Sequence, residues 1–309
     1  MNLRIGFCIL LLGAGAAAAA GGDLASLSRS YRETPNARTH AALLAYAKAH
    51  SRSASGALAL LAAAPVEVDQ KALAEALSHL AAAQKSVPAL ADYVAYTRGM
   101  AQTGQQDYAA AIHSFSAVLA QSPESPLIPK AALQAARAAL SGNQPKQALA
   151  ILKNRYADLP QPQGDLLLAS AFDAAGDSVS AAAYYQRVFY NDPAASEADQ
   201  AGTALAGLRQ KLGGSYPTPM PQAMLGRAVK LLDQGLSDRA RGELDSLVQI
   251  LGGAERDVAK VSLGAVLYQK RDNAQAYDYL NSLQVTAPEA DAERLYYMVA
   301  SARRLNNHD

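Results

Sequence analysis

Three segments, YVAYTRGMAQTGQQDYAAAIHSFSAVLAQSP (93–123), PKAALQAARAALSGNQPKQALAILKNRYADLP (129–160) and GDLLLASAFDAAGDSVSAAAYYQRVFYNDP (164–193), are built alike and end alike. Each closes on a proline. Twelve residues before that proline stands a small residue, Ala111, Ala148 or Ala181, and twelve further back another, Gly99, Ala136 or Ala169. A bulky side chain, Phe115, Leu152 or Tyr185, follows the second-helix alanine by four. Small residues at fixed places let two helices approach closely, and a large one fills the next groove. The repeat predicts tandem helical hairpins: Ala89–Gln102 with Asp107–Gln121, Pro129–Ser141 with Pro145–Ala157, and Gly164–Ala175 with Ser178–Tyr190. Turns are expected at Gly104, at Gly142-Asn143 and at Gly176-Asp177. Pro129 and Pro145 suit first helical turns, where a missing N–H costs little.

The pattern resumes downstream. Gln222–Gln234 and Ser237–Ile250 form a hairpin with Ala228 and Ala240 small and Leu244 bulky. Asp257–Gln269 and Asn273–Val285 form another, with Gly264, Ala276 and Leu280 in those places. Between the arrays lies a helix, Ala195–Leu212, and then Gly213-Gly214-Ser215-Tyr216-Pro217-Thr218-Pro219-Met220-Pro221. Paired glycines and three prolines there forbid a helix. This break reads as a bend between two blocks or as a linker. Ala290–Leu305 reads as one more first helix, with no second helix after it.

The period and positions resemble the tetratricopeptide repeat. The fold class is therefore expected to be all-α: tetratricopeptide-like hairpins stacked into a right-handed α-solenoid. The expected organisation is a leader at 1–20, an irregular N-terminal helical cap at 21–88 and a repeat block at 89–212. The break at 213–221 follows, and then a second block at 222–309 that stops mid-repeat. In the cap, Asn36 heads a helix to about His50, Ser53–Ala64 forms a second stopped by Pro65, and Asp69 caps a third.

Half of the 309 residues are hydrophobic and none is Trp, so the chain buries small side chains between closely spaced helices. With 28 basic against 27 acidic residues it lacks the clustered basic excess that phosphate contacts need, and no nucleic-acid partner is expected. Residues 1–20 carry Arg4, the apolar run Ile5–Leu12 and a string of small residues. That is the pattern of a secretory signal peptide cleaved near Ala20. The run is too short to span a bilayer comfortably. An exported, periplasmic protein is expected, with no transmembrane segment after cleavage. Cleavage would also remove Cys8, the sole cysteine.

Chemistry-bearing patterns are scarce. His40, His50, His79, His113 and His308 look scattered, with no Cys or paired carboxylate at ligand spacing, so neither metal nor cofactor is expected. No Gly-x-Ser-x-Gly elbow and no phosphate-cradling loop appear. In the tetratricopeptide arrangement the first helix of each hairpin lines a concave groove. That register turns Tyr93, Tyr96, Met100, Lys130, Arg137, Asp173 and Tyr268 toward it, and aromatic and Arg side chains are common binding anchors.

Three stretches, AAAYYQRVFYNDPAASEADQA (181–201), LLDQGLSDRARGELDSL (231–247) and AERLYYMVASARRLNN (292–307), with the proline-rich break between the first two, are similar to the superhelical N-terminal part of soluble lytic murein transglycosylases. That family cleaves peptidoglycan with a separate lysozyme-like domain whose catalytic glutamate is followed by serine. Here the only Glu-Ser is Glu124-Ser125, before Pro126, without the family's downstream signature, so no catalytic residue carries over. The resemblance implies an exported, non-catalytic scaffold that holds a protein partner or a cell-wall glycan, peptidoglycan, in its groove. It also leaves room for a murein-cleaving enzyme with a catalytic domain beyond Asp309, or for a periplasmic assembly subunit. The chain alone is expected not to be an enzyme.

Overall fold

The computed structural model describes residues 23–121 and 125–306, all helix, turn and loop, with no strand among them. The segment read as a signal peptide lies outside the described residues, as do Ser122, Pro123, Glu124 and His308. No helix among the described residues is long and apolar enough to cross a membrane. The chain forms two compact units, Met1–Gln105 and Gln106–Asp309. Their boundary falls inside the stretch read as the first hairpin.

Unit one holds α1 (Leu24–Glu33), α2 (Ala37–Ala49), α3 (Ala54–Asp69), α4 (Leu73–Ala83) and α5 (Ala91–Gly104), with two 3-10 turns before α5. Asp23 heads α1 by accepting the Ser26 amide at 2.8 Å. Asn36 heads α2 by accepting the amides of Arg38 and Thr39 on its side chain, and its own backbone amide donates to the Thr39 hydroxyl oxygen, a reciprocal cap. The helix expected to stop at Pro65 instead runs through it to Asp69. An interior proline loses a hydrogen bond and crowds the preceding turn, at a cost of about 3 kcal/mol. Tertiary packing offsets it: Ala63, Ala64 and Glu67, on either side of the proline, are wholly buried. The turn into α4 uses Lys71 at φ 66°, not an Asp69 cap, and closes with the Ala72 amide on the Glu67 carbonyl at 2.8 Å. Helix α5 packs on α3 and α4.

Unit two runs through α6 (Tyr108–Leu119), α7 (Ile128–Ser141), α8 (Pro145–Asn154), α9 (Gln163–Ala174), α10 (Ser178–Asn191) and α11 (Ser196–Leu212). It continues with α12 (Pro221–Asp233), α13 (Ser237–Ile250), α14 (Gly253–Gln269), α15 (Asn273–Ser282) and α16 (Pro288–Asn306). The pairs α7/α8, α9/α10, α12/α13 and α14/α15 are antiparallel neighbours with one turn chemistry. Residues Asn143, Gly176, Gly235 and Arg271 take φ of 54°, 86°, 75° and 65°, the left-handed conformation that ends a helix. The next amide then reaches back over the last turn: Gln144 to Ala139, Asp177 to Phe172, Leu236 to Leu231 and Asp272 to Leu267, at 2.7 to 3.0 Å. Glycine fits two of these turns without strain. Asn143 and Arg271 adopt the same conformation with a Cβ.

The repeat positions read from spacing form the core of this unit. Ala111, Ala136, Ala148, Ala169, Ala181, Ala228, Ala240 and Ala276 are all fully buried, as are Phe115, Leu152, Leu244 and Leu280. Burying each such bulky side chain contributes about 1.5–3 kcal/mol. Each second helix also packs on the next hairpin's first helix, α8 on α9, α13 on α14 and α15 on α16. First helices touch across hairpins, α7 with α9, α12 with α14 and α14 with α16.

The glycine-proline stretch makes a 3-10 turn at Gly213–Ser215 and then runs extended until Pro221 opens α12. It is tied down: Gln186 of α10 donates to the Pro217 carbonyl at 2.6 Å. Helices on both sides of it, α11 and α12, rest on α10. Helix α12 caps the exposed carbonyls at the end of α10, Lys230 reaching Asn191 at 3.0 Å and Arg227 reaching Phe189.

Candidate functional site

Of the residues read as groove-facing, three lie in unit one on α5. Tyr96 is buried, and Tyr93 packs against a core that includes Leu61, Leu80 and Val94. Burial pushes the Tyr93 phenol up to about 12, against a Thr97 hydrogen bond that pulls the other way. Met100 is half-buried. Both tyrosines are core contacts, because α5 buries residues around most of its circumference: Val94, Ala95, Tyr96, Thr97, Gly99 and Ala101.

The other four lie in unit two. Lys130 and Arg137 are exposed on α7. Seven residues make two helical turns, so they share a face. Asp173, near the end of α9, accepts from Ser178 and Lys211, each at 3.4 Å. Tyr268 on α14 is already engaged: the Arg304 guanidinium lies 3.6 Å from its ring centroid and donates to its carbonyl at 3.0 Å. The Tyr297 ring leans on it at 5.4 Å.

A cleft of about 460 Å³ opens in unit two beside α10 and α11, lined among others by Phe189, Tyr190, Asp199, Arg209 and Tyr216. Arg209 lies 5.1 Å over the Tyr216 ring, and burial raises the Tyr190 phenol above its ordinary value. Periodicity could not point here, because Tyr216 comes from the irregular break.

Unit one holds a cluster that spacing concealed. His40 sits in the first turn of α2, Glu67 in the last turn of α3, and Glu75 and His79 one turn apart on α4. The Glu67 side chain is 0 % exposed. His40 Nε2 lies 2.7 Å from Glu67 Oε1, and His79 Nδ1 lies 2.8 and 3.0 Å from its two oxygens. The bond to Glu67 raises the His79 pKa, with burial opposing it. Tyr31 stacks on His40 with centroids 4.9 Å apart, and its hydroxyl donates to Gln70 Oε1 at 3.1 Å. Ligand-type atoms of His40, Glu67 and Glu75 all lie within 4.8 Å of one another. Two of the histidines that looked scattered, His40 and His79, thus converge on one carboxylate. The available signals were Glu67 among the apolar residues at the end of α3 and the four-residue spacing of Glu75 and His79.

No protein-family model and no curated protein matches this chain.

Proposed function

We propose that the chain is a binding scaffold: an α-solenoid of tetratricopeptide-like hairpins, exported to a periplasm, that acts as the non-catalytic arm of a lytic-transglycosylase-like cell-wall protein. The observation that carries the reading is the buried register of small and bulky residues, repeated through α7/α8, α9/α10, α12/α13 and α14/α15. Hairpins locked in this way hold their outer side chains in fixed relation, which lowers the ordering cost of binding. Lys130 and Arg137 project from one such helix as paired cations, suited to the carboxylates of peptide-bearing glycan strands. Peptidoglycan is the preferred occupant.

The test is co-sedimentation of residues 21–309 with purified insoluble sacculi, scoring both bound protein and released muropeptides. Binding without release is expected, and K130E/R137E is expected to weaken it. Release of muropeptides by this polypeptide alone overturns the non-catalytic reading, and failure to sediment overturns the choice of occupant.

A second reading, a protein partner, draws on α16, where Leu295, Tyr296 and Val299 are 47 %, 64 % and 68 % exposed. Apolar side chains on one helix face are the kind of surface that a partner helix covers.

A further inference from the structure

We propose that unit one carries a site for a divalent transition metal of the zinc class, ligated by His40, Glu67 and Glu75, with His79 orienting the Glu67 carboxylate. The inference is independent of the scaffold reading and rests on different residues.

Charge is the first argument. Glu67 is completely buried, and among the described residues its partners are His40 and His79, with no lysine or arginine paired to it. A buried carboxylate is costly unless it is paired or bound to a metal. Glu75 brings a second carboxylate to within 4.8 Å of the His40 and Glu67 ligand atoms. Two carboxylates between two imidazoles make a locus where a dication is favoured.

Geometry is the second. The three ligands come from three helices, and their donor atoms already lie within 4.8 Å of one another. Around tetrahedral zinc, with bonds of about 2.1 Å, ligand atoms stand roughly 3.4 Å apart. His40 and Glu67, 2.7 Å apart, would open by well under an ångström to admit the ion, while the exposed Glu75 swings in. Imidazole with carboxylate favours zinc-like ions over calcium or magnesium, which prefer all-oxygen sets. His79 on the Glu67 carboxylate then plays the outer-shell part that fixes a ligand's orientation. The Tyr31 ring, stacked on His40, holds that imidazole in place.

A plain His–carboxylate–His clamp would show the same short distances, so the experiment must separate the two. Glu75 separates them: it hydrogen-bonds neither histidine nor Glu67, and its side chain is exposed, so Glu75→Gln leaves the clamp intact. The full-length chain, stripped with chelator, is titrated with zinc chloride by calorimetry and with cobalt chloride by visible absorption. One ion per chain is expected, together with a rise in melting temperature that chelator reverses. Glu75→Gln and His40→Gln are expected to abolish uptake, and His79→Gln to weaken it about 10–100-fold. His113→Gln, an exposed position in unit two, is the control and is expected to bind as the unaltered chain does. Absence of zinc and cobalt uptake overturns the proposal. So does uptake that survives Glu75→Gln or His40→Gln, with circular dichroism showing that both variants are folded.

Discussion

Gly264 of α14 and Leu280 of α15 interlock with no room between them: a Cβ on Gly264 would collide with Cγ and Cδ2 of Leu280 and stand 3.1 Å from Cδ1. Leu280 is fully buried, so its side chain has nowhere to retreat. Here the small position of a first helix directly faces the bulky position of its partner.

Gly264→Ala is accordingly expected to destabilise unit two by about 1–3 kcal/mol through overpacking. Leu280→Ala alone is expected to cost about 2–5 kcal/mol through the cavity it leaves. The double variant should cost clearly less than the sum, because the added methyl occupies part of that cavity. Urea unfolding of the four proteins measures the coupling. Simple additivity would show that the two side chains do not meet.

Arg227 on α12 is 3 % exposed, donates to Glu243 at 2.8 Å and to the Phe189 carbonyl, and lies 3.6 Å from the Phe189 ring centroid. Arg227→Met keeps much of the bulk but strands an acceptor at the end of α10. A loss of about 1–3 kcal/mol is expected in urea unfolding. Arg227→Lys should recover little of it, since an ammonium cannot replace the planar fork that serves both acceptors. Glu243→Gln should matter less, because that carboxylate is 31 % exposed and water can replace its partner.

Asp257 anchors the approach to α16. Its Oδ2 accepts the Thr286 amide and hydroxyl, both at 2.8 Å, and the Ala287 amide at 3.1 Å. The Thr286 amide, followed by the Thr286 hydroxyl and the Ala287 amide, holds its pKa below the ordinary 3.8, while burial works against them. The folded carboxyl therefore binds a proton less readily than the unfolded one. Its contribution to stability is complete above the ordinary Asp value and disappears as pH falls through the depressed folded value. Melting temperatures taken from neutral to strongly acid pH should place Asp257→Asn below the unaltered chain at neutrality. The two curves should converge in acid, and a constant gap would refute the assignment.

The core of unit two could be read from the chain because its signal is periodic: Ala148, Leu152, Ala276 and Leu280 sit at the same offsets and are all buried. The helix end carrying Gly176 was equally plain, while Arg271 has no such mark and adopts the same turn. Pro65 misled for a physical reason, since a local rule about one missing N–H cannot see the packing that holds α3 together beyond it. Tyr93 and Tyr96 were placed by a register that assumes one open face, whereas α5 buries residues around most of its circumference. The His40–Glu67–His79 cluster was invisible to spacing because 27 and 12 residues separate its hydrogen-bonded members.

Helix α10 supports both α11 and α12, and the side chains that join α12 to it end on its last carbonyls. Where every helix leans on a single successor, local opening travels along one route. At α10, as at α7, α12 and α14, the route divides. Any fluctuation that frays the end of α10 removes the footing of two helices together, so their amide protons should exchange as one cooperative unit with those of α10. The protection of α12 is then set by the segment before the glycine-proline stretch as much as by its own hairpin with α13.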